Sequence, residues 1–172
     1  MGVWQVMIKY AITGHTSGIG KAIYEKLSPN IIGFSRSNGY NITSNTDRKN
    51  ILNDSKNVDV FINNAHDEYG QTDLLLDLFD KWKNLPKTII NVGSRITEIS
   101  LDLNHHYLLR YQIQKKSLKM TVLELQGYIC KIEYKWFGYV GTERIFKKYP
   151  NITPADYISV DTAVDIILND KS

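Results

Sequence analysis

Apolar and polar positions along the chain alternate between two periods. Short runs rich in Val, Ile, Phe and Tyr lie at Val6 to Ile12, Ile31 to Phe34, Val58 to Ile62, Thr88 to Val92 and Tyr128 to Glu133, and they predict β-strands. Between them apolar residues recur at helical steps, as at Ile19, Ile23 and Leu27. Helices are therefore expected over Gly18 to Leu27, Thr46 to Asn53, Thr72 to Trp82 and His105 to Leu125, with shorter ones near Glu143 to Lys148 and Val160 to Leu168. Such alternation builds a parallel sheet whose right-handed crossovers leave helices on both faces. The expected architecture is a doubly wound, three-layer α/β/α fold. Pro29, Pro86, Pro150 and Pro154 all fall between elements, where a missing N–H interrupts nothing.

The junction of the first strand and first helix carries Thr13-Gly14-His15-Thr16-Ser17-Gly18-Ile19-Gly20. Gly14 permits a tight bend, Gly18 lets backbone approach a pyrophosphate, and Gly20 lets the helix pack close to the sheet. Free N–H groups at the helix start, aided by the helix dipole, would face the phosphates. A loop that merely turns uses the same glycines, so the motif needs support elsewhere in the chain.

At 172 residues and 42% hydrophobic content, the chain is expected to form one domain over 1–172, burying roughly 70% of its unfolded surface. The formal charge of +3 comes from dispersed Lys and Arg, which gives no electrostatic case for nucleic acid. Cys130 is the single cysteine and lies in an apolar stretch, where it reads as a buried thiol with no disulfide partner in the chain. With no leader pattern and no apolar run of membrane length, a cytoplasmic location away from membranes is expected. His105 and His106 are adjacent, point apart on a helix and lack acidic or Cys partners at ligand spacing, so no metal site is expected.

Four further motifs follow the glycine loop in order: Asn63-Asn64-Ala65, Ser94, Tyr111-x-x-x-Lys115 and Gly138-Tyr139-Val140-x-Thr142. Together with the Thr-Gly-x-x-x-Gly-x-Gly spacing, they resemble the short-chain dehydrogenase/reductase family over about Val6 to Leu168. The resemblance implies a Rossmann-type dinucleotide-binding domain in shortened form. The interval 64–94 is compressed, which trims the helix expected to carry a catalytic Asn, and a pocket wall beyond Leu168 is expected to be missing. No Asn stands at the family's interval before Ser94, so that role is unassigned.

Tyr111 and Lys115 are four apart and share one helix face. A free phenol ionises near pH 10, about three units above neutrality, so an acid–base tyrosine needs a cation beside it. An isolated Tyr-x-x-x-Lys is more often a core aromatic beside a solvated lysine. Ser94, at the carboxyl end of a predicted strand where open α/β sheets hold ligands, reverses that balance. By resemblance, Ser94 holds the substrate oxygen, Tyr111 gives the proton, and Lys115 tunes Tyr111 and bonds the nicotinamide ribose.

Cofactor contacts implied in the same way fall on Gly14, Thr16, Ser17, Gly18, Ile19 and Gly20, on Asn63, Asn64 and Ala65, and on Val140 and Thr142 near the nicotinamide carboxamide. His66 stands where the family has Gly, and Phe137 where it has Pro. The second predicted strand ends without an acid for a ribose 2′-hydroxyl, whereas Arg36 flanked by Ser35 and Ser37 suits a 2′-phosphate. NADP(H) is thus expected over NAD(H), which stays possible; a solvent-facing arginine is the other reading of Arg36. Asn41 is expected near adenine. Arg144, Lys147 and Lys148 either select an acidic substrate or form a solvated helix face.

The function expected is an NAD(P)H-dependent oxidoreductase acting on a small-molecule carbonyl or alcohol, self-paired as a homodimer or homotetramer through the long helix. Leu101, Leu108, Leu118, Val122 and Leu125 are its apolar candidates. The alternative is a catalytically weakened nucleotide-binding sensor or scaffold of the same fold.

Overall fold

The computed structural model describes residues 7–169, Leu103 by its backbone alone. Its strands are β1 (Tyr10–Thr13), β2 (Ile31–Phe34), β3 (Val60–Asn63), β4 (Thr88–Val92) and β5 (Lys131–Lys135), paired in parallel in the order β2-β1-β3-β4-β5. The helices are α1 (Gly18–Leu27), α2 (Asn45–Asp54), α3 (Gly70–Trp82), α4 (Leu109–Glu124), α5 (Glu143–Lys148) and α6 (Val160–Leu168). A separate two-residue parallel pair, β6 (Tyr139–Val140) and β7 (Tyr157–Ile158), brackets α5. Strand order reverses beside β1, so the crevice that binds ligands in open α/β sheets lies beyond the carboxyl ends of β1 and β3.

Successive strand residues point to opposite faces, and the two cores follow from that alternation. Ala11, Phe61 and Ile89 join Ile51 of α2, Leu74, Leu75 and Leu78 of α3, and Leu118 and Val122 of α4 on one face. Ile12, Ile62 and Ile90 join Ile23 of α1 and Val164 and Ile167 of α6 on the other. Both faces are covered, which is why these strands read as nearly continuous apolar runs.

Three element starts differ from the sequence expectation by three or more residues. β1 starts at Tyr10; Val6 lies outside the described residues. Residues 128–130 do not join the sheet, because the N–H groups of Ile129 and Cys130 both donate to the Lys83 carbonyl at the end of α3. The expected helix from His105 opens instead as a 3₁₀ segment, Leu103–Leu108, pinned by Asp102 Oδ1 accepting from the N–H groups of Asn104 and His105 at 3.0 and 3.1 Å. Leu118 and Val122 face the sheet, so they are unavailable to a partner; the apolar residues α4 turns outward are Ile113, Met120 and Leu123. Cys130 is buried, which pushes its thiol up to about 11. Among the described residues no helix is long and apolar enough to cross a membrane.

Candidate active site

Backbone proximity shapes the first end of the crevice. Gly14 and Gly18 hold φ of +75° and +54°, a left-handed conformation that L side chains rarely adopt. A Cβ on Gly20 would stand 2.1 Å from the Gly14 carbonyl oxygen, so only glycine lets α1 approach the loop this closely. The loop is clamped from β3: Thr13 Oγ1 accepts from the N–H groups of Asn64 (3.1 Å) and Ala65 (3.0 Å), while Asn64 Nδ2 donates to the Thr13 carbonyl at 3.0 Å. Thr16, Ser17 and Gly18 are exposed at the mouth, whereas Ile19 packs into the core. No side chain caps α1 at Ser17. A Cβ on Gly18 would meet only Thr142 Cγ2, at 3.6 Å, which places Thr142 across the opening. An uncapped helix start facing a glycine-lined gap fits a pyrophosphate.

At the end of β2, Ser35, Arg36 and Ser37 form a tight turn. The Ser35 and Ser37 hydroxyls are paired at 2.7 Å, and the Ser35 N–H donates to Asn38 Oδ1 at 2.7 Å. Arg36 is 79% exposed, with Nη1 3.8 Å from the Asp67 carboxylate, so its guanidinium is free to turn toward an anion at the rim. The Asn41 side-chain carbonyl already accepts from the N–H and hydroxyl of Thr43, at 3.1 and 2.9 Å, which leaves its amide NH₂ as the group to present to a ligand. His15, which sequence reasoning passed over, covers Gly33: a Cβ there would stand 2.3 Å from the imidazole. A glycine in the middle of β2 was its one sequence signal.

The second end is built from the segment after β4, which carries Ser94, and from α4, which carries Tyr111 and Lys115. Ser94 follows β4 and starts the 3₁₀ turn Arg95–Glu98, with Oγ accepting from the Ile96 N–H at 3.3 Å. This turn is tied to α4 by Gln112, whose Nε2 donates to the carbonyls of Ile96 (2.8 Å) and Ile99 (2.7 Å). Gln112 thereby fixes Ser94's segment against the helix that carries Tyr111. The Lys115 ammonium lies 5.9 Å from the centre of the Tyr111 ring and is almost wholly buried. It donates to Gln71 Oε1 at 2.7 Å and to the Val92 carbonyl at 3.1 Å. Burial lowers its pKa to about 7.

His66 packs edge-on against Tyr111, ring centres 4.8 Å apart. Although it keeps an exposed edge, desolvation and the Lys115 charge lower it to about 4, so near neutral pH it is an uncharged ring on the tyrosine. Asn63 is fully buried and acts as a brace, with Nδ2 donating to Asn91 Oδ1 at 3.0 Å. Val140 and Thr142 sit where β6 meets α5, and the Tyr139 ring packs at a tilt against Tyr149, ring centres 5.1 Å apart. Arg144, Lys147 and Lys148 are exposed. His105 pairs with Asp102 at 2.6 Å, and among the described residues no cluster of three or more His, Cys, Asp or Glu could hold a metal ion.

No protein-family model matches the chain, and no curated relative does. Solved structures do match over nearly all of it. A short-chain dehydrogenase from Burkholderia cenocepacia J2315 in complex with NADP aligns with TM-score 0.71 at 19% identity, covering 94% of this chain and 84% of that one. A small-chain dehydrogenase in complex with NADPH aligns with TM-score 0.69 at 14% identity, covering 96% and 93%. The bulky-bulky ketone specific alcohol dehydrogenase from Comamonas testosteroni aligns with TM-score 0.71 at 16% identity, covering 93% and 81%. The fold is that of the short-chain dehydrogenases and reductases, in a chain shorter than these structural neighbours. At such identities the likeness is one of fold.

Proposed function

We propose that the protein is a small NAD(P)H-dependent reductase of the short-chain type, acting on a ketone or aldehyde or, in reverse, on an alcohol. The observation that carries this reading is that one loop after β3 touches both an uncapped, glycine-lined helix start, through Asn64 on Thr13, and the Tyr111–Lys115 pair, through His66 on Tyr111. Gly14, Thr16, Ser17, Gly18, Ile19 and Gly20 would hold the pyrophosphate, with Asn63 bracing the strand ends and Asn64 and Ala65 beside the adenosine. Arg36, with Ser35 and Ser37, would take a 2′-phosphate, favouring NADP(H); Asn41 would approach adenine. Val140 and Thr142 would orient the nicotinamide carboxamide. When bound, the reduced cofactor supplies a hydride to the carbonyl carbon.

The protein groups complete that chemistry. Ser94 donates a hydrogen bond to the carbonyl oxygen as negative charge grows there, and Tyr111 transfers its phenolic proton to that oxygen. Lys115 stabilises the phenolate left behind, an effect magnified by its dry surroundings. The outward apolar residues Ile113, Met120 and Leu123 of α4 support a homodimer in solution. A cytoplasmic location agrees with the single, buried cysteine.

Titration of the purified protein with NADPH and NADH, followed by a carbonyl panel read as loss of reduced-cofactor absorbance, tests the proposal. Cofactor binding with turnover is expected. Binding without turnover on any carbonyl would replace the reductase by a nucleotide-binding sensor.

A further inference from the structure

The Lys115 ammonium is held by a buried amide that no motif pointed to. Gln71 stands in the first turn of α3 at 2% exposure. Its Nε2 donates to the carbonyls of Asn63 at 2.7 Å and Val92 at 3.0 Å, and its backbone carbonyl accepts from Asn63 Nδ2 at 2.8 Å. These partners decide which way the amide faces. Turned over, Gln71 would aim its oxygen at two carbonyl oxygens and its NH₂ at an ammonium, losing three hydrogen bonds at once. The amide therefore presents a fixed, neutral acceptor to Lys115, 2.7 Å away.

The neutrality has a chemical consequence. A carboxylate at this point would form a buried ion pair and cancel much of the ammonium's field, whereas two carbonyl-type oxygens hold the charge without cancelling it. Gln71 and Val92 take two of the three ammonium N–H groups and leave the third uncommitted among the described residues. The titratable groups around Lys115 are Tyr111 on its own helix and His66 from the β3–α3 loop, with Asp67 and Arg144 beyond the imidazole.

We propose that Gln71 is the positioning residue of this site: its locked side-chain amide fixes the Lys115 ammonium beneath Tyr111 and keeps that charge unpaired. The proposal rests on reading Tyr111 and Lys115 as the acid–base pair. It fills by a direct contact a role for which the sequence offers no asparagine, and it places that role at the first turn of the shortened helix.

The test reads Lys115 itself, in the cofactor-free protein, by ¹³Cε and ¹⁵Nζ NMR titration, with the resonance assigned by its loss in Lys115→Met. Gln71→Leu removes the acceptor and should lower the midpoint by about one pH unit or more, and Gln71→Glu supplies an anion and should raise it by a similar amount. Opposite shifts in the two variants are the expected result. A midpoint that stays put in both, or moves the same way in both, overturns the proposal; should Gln71→Leu fail to fold, an unmoved midpoint in Gln71→Glu is sufficient to do so.

In the turnover assay, kcat of Gln71→Leu should fall about tenfold or more with KM little changed, since the lost effect acts on the departing proton. The alkaline limb of its pH–rate profile should move down with the midpoint. Because the titration needs neither cofactor nor substrate, a protein that turns over no carbonyl still decides the role of Gln71, and an active protein whose Lys115 ignores Gln71 rejects it.

Discussion

The two ends of the crevice are built by opposite means. At the glycine loop the limiting approach is backbone against backbone: the Gly14 carbonyl lies 2.1 Å from where a Gly20 Cβ would be, and one side-chain amide, that of Asn64, clamps the Thr13 carbonyl. At the Tyr111 end the shape comes from buried side-chain amides, with Gln71 holding Lys115 and Gln112 holding the turn after Ser94. A backbone-built site tolerates almost no added atom. An amide-built one tolerates change in shape but not in hydrogen-bond polarity, because each buried donor or acceptor left alone costs roughly 1–3 kcal/mol.

The largest effect should separate the two ends outright. Tyr111→Phe is expected to lower turnover by about 10²–10⁴-fold, the usual range for losing a general acid, while NADPH affinity measured by calorimetry hardly changes. Near-normal turnover would remove Tyr111 from the mechanism. Lys115→Ala should weaken cofactor binding as well, and equal effects of the two substitutions on affinity would argue against a ribose contact by Lys115.

At the other end, Arg36→Ala should weaken NADPH by about 1.5–3 kcal/mol, the worth of hydrogen bonds to a charged group, and leave NADH untouched. If the preference between the two cofactors survives the substitution, Arg36 is only a surface residue beside Asp67. Gly20→Ala should cost about 1–3 kcal/mol of stability through overpacking, seen as a drop in Tm, and should impair cofactor binding without the pH-profile change expected for Gln71→Leu. A normal Tm would mean that the loop yields more readily than its contacts imply.

The smallest effect contrasts the two faces of α4. Glutamate at Met120 and Leu123, both outward, should convert a dimer to monomers in light scattering while leaving the fold intact; a wild-type protein already monomeric at micromolar concentration would refute self-pairing through this helix.

Much of this molecule was written in its periodicities. The strand–helix alternation predicted the parallel sheet, α1, α5 and α6 coincide with the expected segments, and β2 and β4 do too. These elements are legible because burial imposes a repeat on apolar residues that survives without neighbours. Glycines announced the loop for a similar reason, since a left-handed φ or a close approach excludes other residues at that position. Only the tertiary structure decided that 128–130 docks on α3 rather than joining the sheet, and that Leu118 and Val122 face inward while Met120 and Leu123 do not. The same holds for Gln71 and Gln112. A glutamine has no periodicity and no fixed spacing to its partners: the contact to Lys115 spans forty-four residues of chain, and its meaning comes from the polar groups that folding brings around it.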